Sequence, residues 1–169
     1  MRLLLVDDED VQGTKQQVVH AETSTGALQP MAQLGDIANR HSALLPLDTV
    51  TSLGGIPVEI DNWGVDVAYS GTQKCLSCQP GLSPLSISER ARKVLRTRQS
   101  KVANWYLDLS MIEGHWGDAR SYHHTTPISM NIALRKALRL IHEERFASPF
   151  RPAPRQCRTV MGWVAGTRP

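Results

Sequence analysis

The chain has 169 residues, 41% hydrophobic and 21% charged, with a formal net charge of +3; this is the length of one ordinary domain with enough apolar material for a core, which argues against wholesale disorder. The 12 Gly and 10 Pro are too few and too aperiodic for a collagen or a low-complexity polymer, and no apolar run approaches the roughly 20 residues of a membrane span. Charge is uneven, with 3 basic and 10 acidic side chains in residues 1–70 and 16 basic and 6 acidic in residues 71–169.

Residues 3–6 and 17–20 are short apolar runs that read as strands. Residues 29–40 read as a helix with Met31, Leu34 and Ile37 on one face. Residues 43–48 run into Asp48 as a buried strand, although Pro46 is awkward in a central one. Residues 56–60 form a short edge strand, because Pro57 cannot donate to a ladder. Residues 65–69 make another strand, closed by Ser70-Gly71, and residues 82–85 a weaker one. Ser86 and Glu89 have the spacing of a capping box that opens a helix running to about Arg98. Met130, Leu134, Leu138 and Ile141 give residues 128–144 the period of an amphipathic helix. From residue 145 the pattern stops. Residues 145–169 hold five Arg and four of the ten Pro and read as an irregular tail.

Strands alternating with helices predict an α/β fold, a mostly parallel sheet in a three-layer αβα arrangement. Ligands of such sheets collect beyond the carboxyl ends of the strands, which directs attention to Asp48 and to the segment after Tyr69. There Ser70-Gly71-Thr72-Gln73 leads to Lys74, the one lysine between Lys15 and Lys93. A lysine turns nucleophilic when desolvation disfavours its charged form, and its free amine forms Schiff bases with aldehydes. A solvated surface lysine is the plainer reading of the same residues. Asp48 likewise either caps the turn of residues 49–52 or meets a cationic partner such as a protonated ring nitrogen.

Leu47-Asp48-Thr49-Val50-Thr51-Ser52-Leu53-Gly54-Gly55, then Asp66-Val67-Ala68-Tyr69-Ser70-Gly71-Thr72-Gln73-Lys74, then Pro80-Gly81-Leu82-Ser83 resemble the class V aminotransferases that use pyridoxal 5'-phosphate. The alanine–glyoxylate / serine–pyruvate group is the nearest in pattern. The resemblance runs over residues 18–144 and implies the large domain of a fold-type I pyridoxal enzyme, incomplete in this chain. It implies that Lys74 carries the cofactor as a Schiff base and shuttles a proton, that Asp48 meets the pyridine nitrogen, and that Val50 packs on the ring. It also implies that Thr23 lies near the phenolic oxygen, that Gln73 touches the phosphate, and that Tyr122 and Thr125 reach the phosphate of a partner subunit in a homodimer. The implied reaction moves an amino group from alanine or serine to glyoxylate or pyruvate, that is, between a small amino acid and a 2-oxo acid. The alternatives are another class V transaminase (serine–glyoxylate or ureidoglycine–glyoxylate) and a truncated, non-catalytic fragment.

The family's phosphate loop and aromatic stacking residue precede its equivalent of residue 18, and its substrate-carboxylate arginine lies in a C-terminal domain. Residues 1–17 show neither of the first two, and the arginines of 145–169 stand in no matching context, so these stretches read as an atypical start and a foreign-looking tail. Gln79 also stands where a second proline is usual. Three rival patterns exist. Cys75-x-x-Cys78 with His123-His124 has the types for zinc, although the expectation here is no metal. Residues 1–10, Asp48 and Lys101 mimic a receiver domain, but Val102 follows Lys101 where that family has proline. Arg90, Arg92, Lys93, Arg96, Arg98 and Lys101 could grip phosphates, yet they read better as a solvated helix face, so neither nucleic acid nor membrane is an expected partner. Three Cys without an export signal point to reduced thiols, and Thr167-Arg168-Pro169 is no peroxisomal ending, leaving a cytoplasmic location as the expectation.

Overall fold

The computed structural model describes residues 4–5, 16–117 and 121–147. Among them five strands, β1 (Leu4–Leu5), β2 (Gln16–Val19), β3 (Pro46–Asp48), β4 (Val67–Tyr69) and β5 (Leu85–Ile87), lie in that order in one sheet. β2, β3 and β4 run parallel, and β1 and β5 close the two edges antiparallel. The helices are α1 (Leu34–Arg40), α2 (Glu89–Thr97), α3 (Leu109–Trp116) and α4 (Ile128–Ala147), with a 3₁₀ turn at Trp105–Leu107. The sheet with its flanking helices is part of a three-layer αβα domain, as the strand–helix alternation led one to expect.

Register divides the central strands into two faces. Val18 pairs with Leu47 and Leu47 with Ala68, while Val19 pairs with Asp48 and Asp48 with Tyr69. Because side chains alternate along a strand, Val18, Leu47 and Ala68 share one face. That face holds the core, where Met31, Ala38, Leu45 and Val65 join Leu47 and Ala68, and Leu34, Ile60 and Trp63 pack around them. The opposite face carries Asp48 and Tyr69, so burying the first face aims the polar pair the other way.

Several boundaries differ from the sequence reading. Pro46 does sit in a central strand, but as its first residue, opposite Val67, while the β2 register begins at Leu47; a first position is where a sheet tolerates proline. Residues 56–60 form no strand. They enter a turn in which Trp63 N–H donates to the Glu59 carbonyl at 3.0 Å and Val65 N–H to that of Ile60 at 2.9 Å. α1 is shorter than residues 29–40, and its inner face is Leu34, Gly35 and Ala38; Ile37 is 43% exposed. β5 lies three residues later than residues 82–85. The α2 cap is Ser88 rather than Ser86, since the Ser88 hydroxyl accepts the Ala91 N–H at 3.1 Å. In α4, among the residues whose side chains are described, the buried position is Ala137, and Leu138 is exposed. Residues 1–3 and 148–169, which include most of the expected tail, lie outside the described residues.

Candidate functional site

The polar face gathers a chain of three side chains across the three parallel strands. Gln17 precedes Val19 by two residues and so shares its face with Asp48 and Tyr69. The Tyr69 hydroxyl donates to Asp48 Oδ2 at 2.9 Å, and Gln17 Nε2 donates to the Tyr69 oxygen. Asp48 Oδ1 accepts the Val50 N–H at 2.8 Å, an Asx turn that starts the loop leaving β3. Burial, followed by the hydrogen bond to Asp48, pushes the Tyr69 hydroxyl well above its ordinary pKa, so the phenol stays a neutral donor.

Three loops at the carboxyl ends of the strands are stitched to one another. The loop after β2 leaves through His20, whose N–H donates to the Asp48 carbonyl at 3.0 Å, and closes on itself through the Ala21–Leu28 bridge. Thr51, in the loop after β3, donates its hydroxyl to the Ala21 carbonyl. Cys75, in the loop after β4, lies 3.2 Å through its Sγ from the Thr51 carbonyl. Gly54, at φ +92°, leaves room for the third loop, because a Cβ there would stand 3.1 Å from Leu76 Cδ2 and 3.2 Å from the Cys75 carbonyl oxygen. Thr49 and Thr72 are buried anchors beneath these loops. Thr49 bonds the Tyr69 carbonyl through N–H and hydroxyl at 2.9 and 2.8 Å, and the Thr72 hydroxyl donates to the Gln79 carbonyl at 2.6 Å.

Of the residues singled out in the sequence, Asp48 and Val50 are joined directly and half-buried. Gln73 and Lys74 lie on the loop packed against theirs and are exposed, with Gln73 turned back over Gly71. The desolvation suggested as the activator of Lys74 is therefore not what surrounds it in the single chain. Thr23 is exposed at the tip of the loop after β2, where Glu22 accepts from Ser24 N–H and hydroxyl at 2.8 and 2.7 Å. Tyr122 and Thr125 are exposed, 76% for Tyr122, and their hydroxyls lie 2.9 Å apart. They belong to a separate cluster around buried His123, which stacks on Trp105 at 4.3 Å and bonds its carbonyl at 3.2 Å.

Gln17, His20 and Tyr69 escaped sequence reasoning. His20 is buried, with Nδ1 2.9 Å from Ser52 Oγ and its ring edge-on to Trp63 at 5.1 Å; burial holds its pKa below the ordinary value. Among the described residues no group of three or more His, Cys, Asp or Glu side chains is gathered for a metal. Arg90 is bound to Asp66, and Arg92 and Arg96 to Glu89 and Glu113. Among the described residues no helix is long and apolar enough to cross a membrane.

Chemically, the arrangement sets an acceptor-only carboxylate at the end of a parallel strand and a primary amine on the adjoining loop. A carboxylate has about four lone-pair sites, and two donors leave Asp48 capacity for a third, positively charged one. The model of the family described as aminotransferase class-V matches residues 14–149. The chain is 42% identical over 130 residues to an alanine–glyoxylate aminotransferase of Oryctolagus cuniculus, covering 75% of this chain and 33% of that protein. It is 34% identical over 151 residues to an (S)-ureidoglycine–glyoxylate transaminase of Bacillus subtilis (strain 168), covering 79% of this chain and 36% of that one. The crystal structure of an alanine–glyoxylate aminotransferase from Nostoc sp. superimposes with a TM-score of 0.73 at 53% identity, over 76% of this chain and 35% of that one. The chain spans about a third of the length of these relatives.

Proposed function

The chain belongs to the class V aminotransferases, and from that premise we propose that the Asp48–Lys74 end of its sheet binds pyridoxal 5'-phosphate and serves transfer of an amino group from alanine or serine to glyoxylate or pyruvate. The observation that carries the reading is the packing of the Asp48 loop on the Lys74 loop through Cys75, Thr51 and Gly54.

The residues present fit the cofactor. Asp48 keeps unused acceptor capacity beside its bonds from Val50 and Tyr69. Lys74 offers its amine on the neighbouring loop, and Val50 stands half-buried one turn beyond Asp48. When bound, pyridoxal phosphate supplies the electron sink that makes the α-proton of an amino acid labile. Asp48 would orient and electrostatically support the ring nitrogen, Lys74 would hold the cofactor and move the proton through its Nζ, and Val50 would pack against the ring. Thr23 and Gln73, both exposed on the neighbouring loops, would bond the phenolic and phosphate oxygens. Tyr122 and Thr125, exposed in one chain, would serve the cofactor of a second copy in a homodimer. The same residues would serve ureidoglycine as amino donor, a reading favoured by the Bacillus subtilis relative.

The test is to incubate the full chain with pyridoxal phosphate, reduce with borohydride, and map the label by mass spectrometry. Label confined to Lys74 and lost in Lys74→Ala supports the site; label spread over other lysines, or none, overturns it. Adding alanine and glyoxylate to the loaded chain then reads transamination as pyruvate and glycine. A labelled chain without turnover is a cofactor-binding fragment and overturns the catalytic half of the proposal.

A further inference from the structure

We infer that Tyr69, braced by Gln17, is a positioning residue that sets the direction of the Asp48 carboxylate toward the cofactor's ring nitrogen; this rests on the reading of Asp48 given above. The β3–β4 register places Tyr69 directly across from Asp48, and the phenol donates to Oδ2 at 2.9 Å. A hydroxyl rotates freely unless something occupies its oxygen. Here Gln17 Nε2 donates to that oxygen from β2, which turns the phenolic hydrogen toward Asp48. Oδ1 is fixed separately by the Val50 N–H at 2.8 Å.

An aspartate's terminal torsion is broad when unrestrained. Donors on both oxygens, from two different segments, define the carboxylate plane before any ligand arrives, which is how a site avoids the cost of ordering a side chain on binding. The fold itself does not need the phenolic oxygen. The core lies on the Leu47–Ala68 face of the same strands, and Phe in place of Tyr69 keeps the ring while removing only the hydroxyl. The Tyr69 hydroxyl is also held protonated, by burial first and by Asp48 second, so it donates throughout the range in which proteins work.

The experiment titrates the full chain with pyridoxal phosphate, following absorbance, for wild type, Tyr69→Phe, Gln17→Leu, Asp48→Ala and the Tyr69→Phe/Asp48→Ala double variant. Tyr69→Phe is expected to bind about ten-fold more weakly, the scale of one hydrogen bond to a charged group, with a shifted absorption maximum. Gln17→Leu is expected to lose about three-fold, since the phenol loses only its brace. The double variant should bind no worse than Asp48→Ala, because Tyr69 acts through Asp48. If Tyr69→Phe does not fold, Gln17→Leu decides alone. Wild-type affinity in Tyr69→Phe beside a weakened Asp48→Ala sinks the inference and leaves the Asp48 reading standing. An equal loss on adding Tyr69→Phe to Asp48→Ala also sinks it, since Tyr69 then acts elsewhere. Unchanged binding in Asp48→Ala, or no binding by the wild-type chain, overturns the underlying reading and the inference together.

Discussion

Asp66 and Arg90 meet through both carboxylate oxygens, with Arg90 Nε donating to Oδ1 at 2.8 Å and a terminal nitrogen donating to Oδ2. Asp66 is buried and also accepts the Leu45 N–H at 2.9 Å and the Ser88 hydroxyl at 2.8 Å, while Arg90 reaches the Ala43 carbonyl at 2.9 Å. One carboxylate thereby joins the approach to β3, the start of β4 and the first turn of α2. The sequence reading had Arg90 on a solvated helix face; it is instead the one member of that basic run committed to a buried acid.

Burial of Asp66 favours its protonated form, but the Arg90, Leu45 and Ser88 donors outweigh burial and hold the carboxyl below its ordinary pKa. A depressed folded pKa gives stability that is present above the ordinary value and is lost as pH falls through the folded one. Asp66→Ala should cost about 3–5 kcal/mol in urea unfolding at neutral pH, as breaking a buried pair does. Arg90→Ala should cost less, about 1–2 kcal/mol, because two other donors remain on the carboxylate. Equal stability of Asp66→Ala and wild type would remove the junction from the account.

Ser88 and Ser86 offer a clean comparison. Only Ser88 accepts from α2, at Ala91 N–H, and it also donates to Asp66. Ser88→Ala should therefore lose about 1–2 kcal/mol, the range of a lost N-cap. Ser86→Ala, an exposed strand position, should stay within about 0.5 kcal/mol of wild type. Chemical denaturation of both variants checks the pair, and a larger loss at Ser86 would return the cap to the sequence-derived position.

Gly35 faces the Trp63–Gly64 backbone so closely that a Cβ would land on the Trp63 carbonyl oxygen. In an open helix Gly→Ala gains about 1 kcal/mol. Here the gain meets a backbone atom that cannot swing aside, and overpacking of that kind costs about 1–3 kcal/mol. Gly35→Ala should lower the unfolding midpoint, whereas Asp36→Ala, exposed on the same helix, should not. A stabilised Gly35→Ala would mean that α1 can pull away from the Trp63 turn.

These cases show where the sequence speaks and where it falls silent. β2, β3, β4, α2 and α4 are legible because apolar period and a bounding Gly, Pro or Ser mark them. Residues 56–60 look like a strand because Ile60 must reach the core, and a turn meets that need as well as a strand does. The capping-box spacing points to Ser86, and only the run of β5 through Ile87 moves the cap to Ser88. Asp48 stands out as a carboxylate ending an apolar run, but Lys74, by residue type alone, is a surface lysine, and it was the family pattern that lifted it. Gln17 and Tyr69 stayed invisible for another reason: only strand register puts them on the face of Asp48, and parallel strands joined by long connections have no hairpin turn to announce that register.

His20 gives a last prediction, in which acid acts on the loop layer itself. The residue is 4% exposed, and its main chain donates to the Asp48 carbonyl at 3.0 Å and accepts the Gln29 N–H at 2.8 Å. Burial keeps its folded pKa below the ordinary 6.5, so between the two values the unfolded chain binds the extra proton. Stability contributed by neutral His20 is then complete above 6.5 and declines as pH falls from there toward the folded value, at no more than about 1.4 kcal/mol per pH unit for a single group. His20→Asn keeps a hydrogen-bonding group near Ser52 and removes the titration. Unfolding free energies measured by urea from pH 8 to pH 5 should slope downward in the wild type and run flatter in His20→Asn, even though the variant is less stable overall. Parallel curves would show that His20 titrates alike in both states, and that the acid sensitivity of the sheet's carboxyl end originates in other groups.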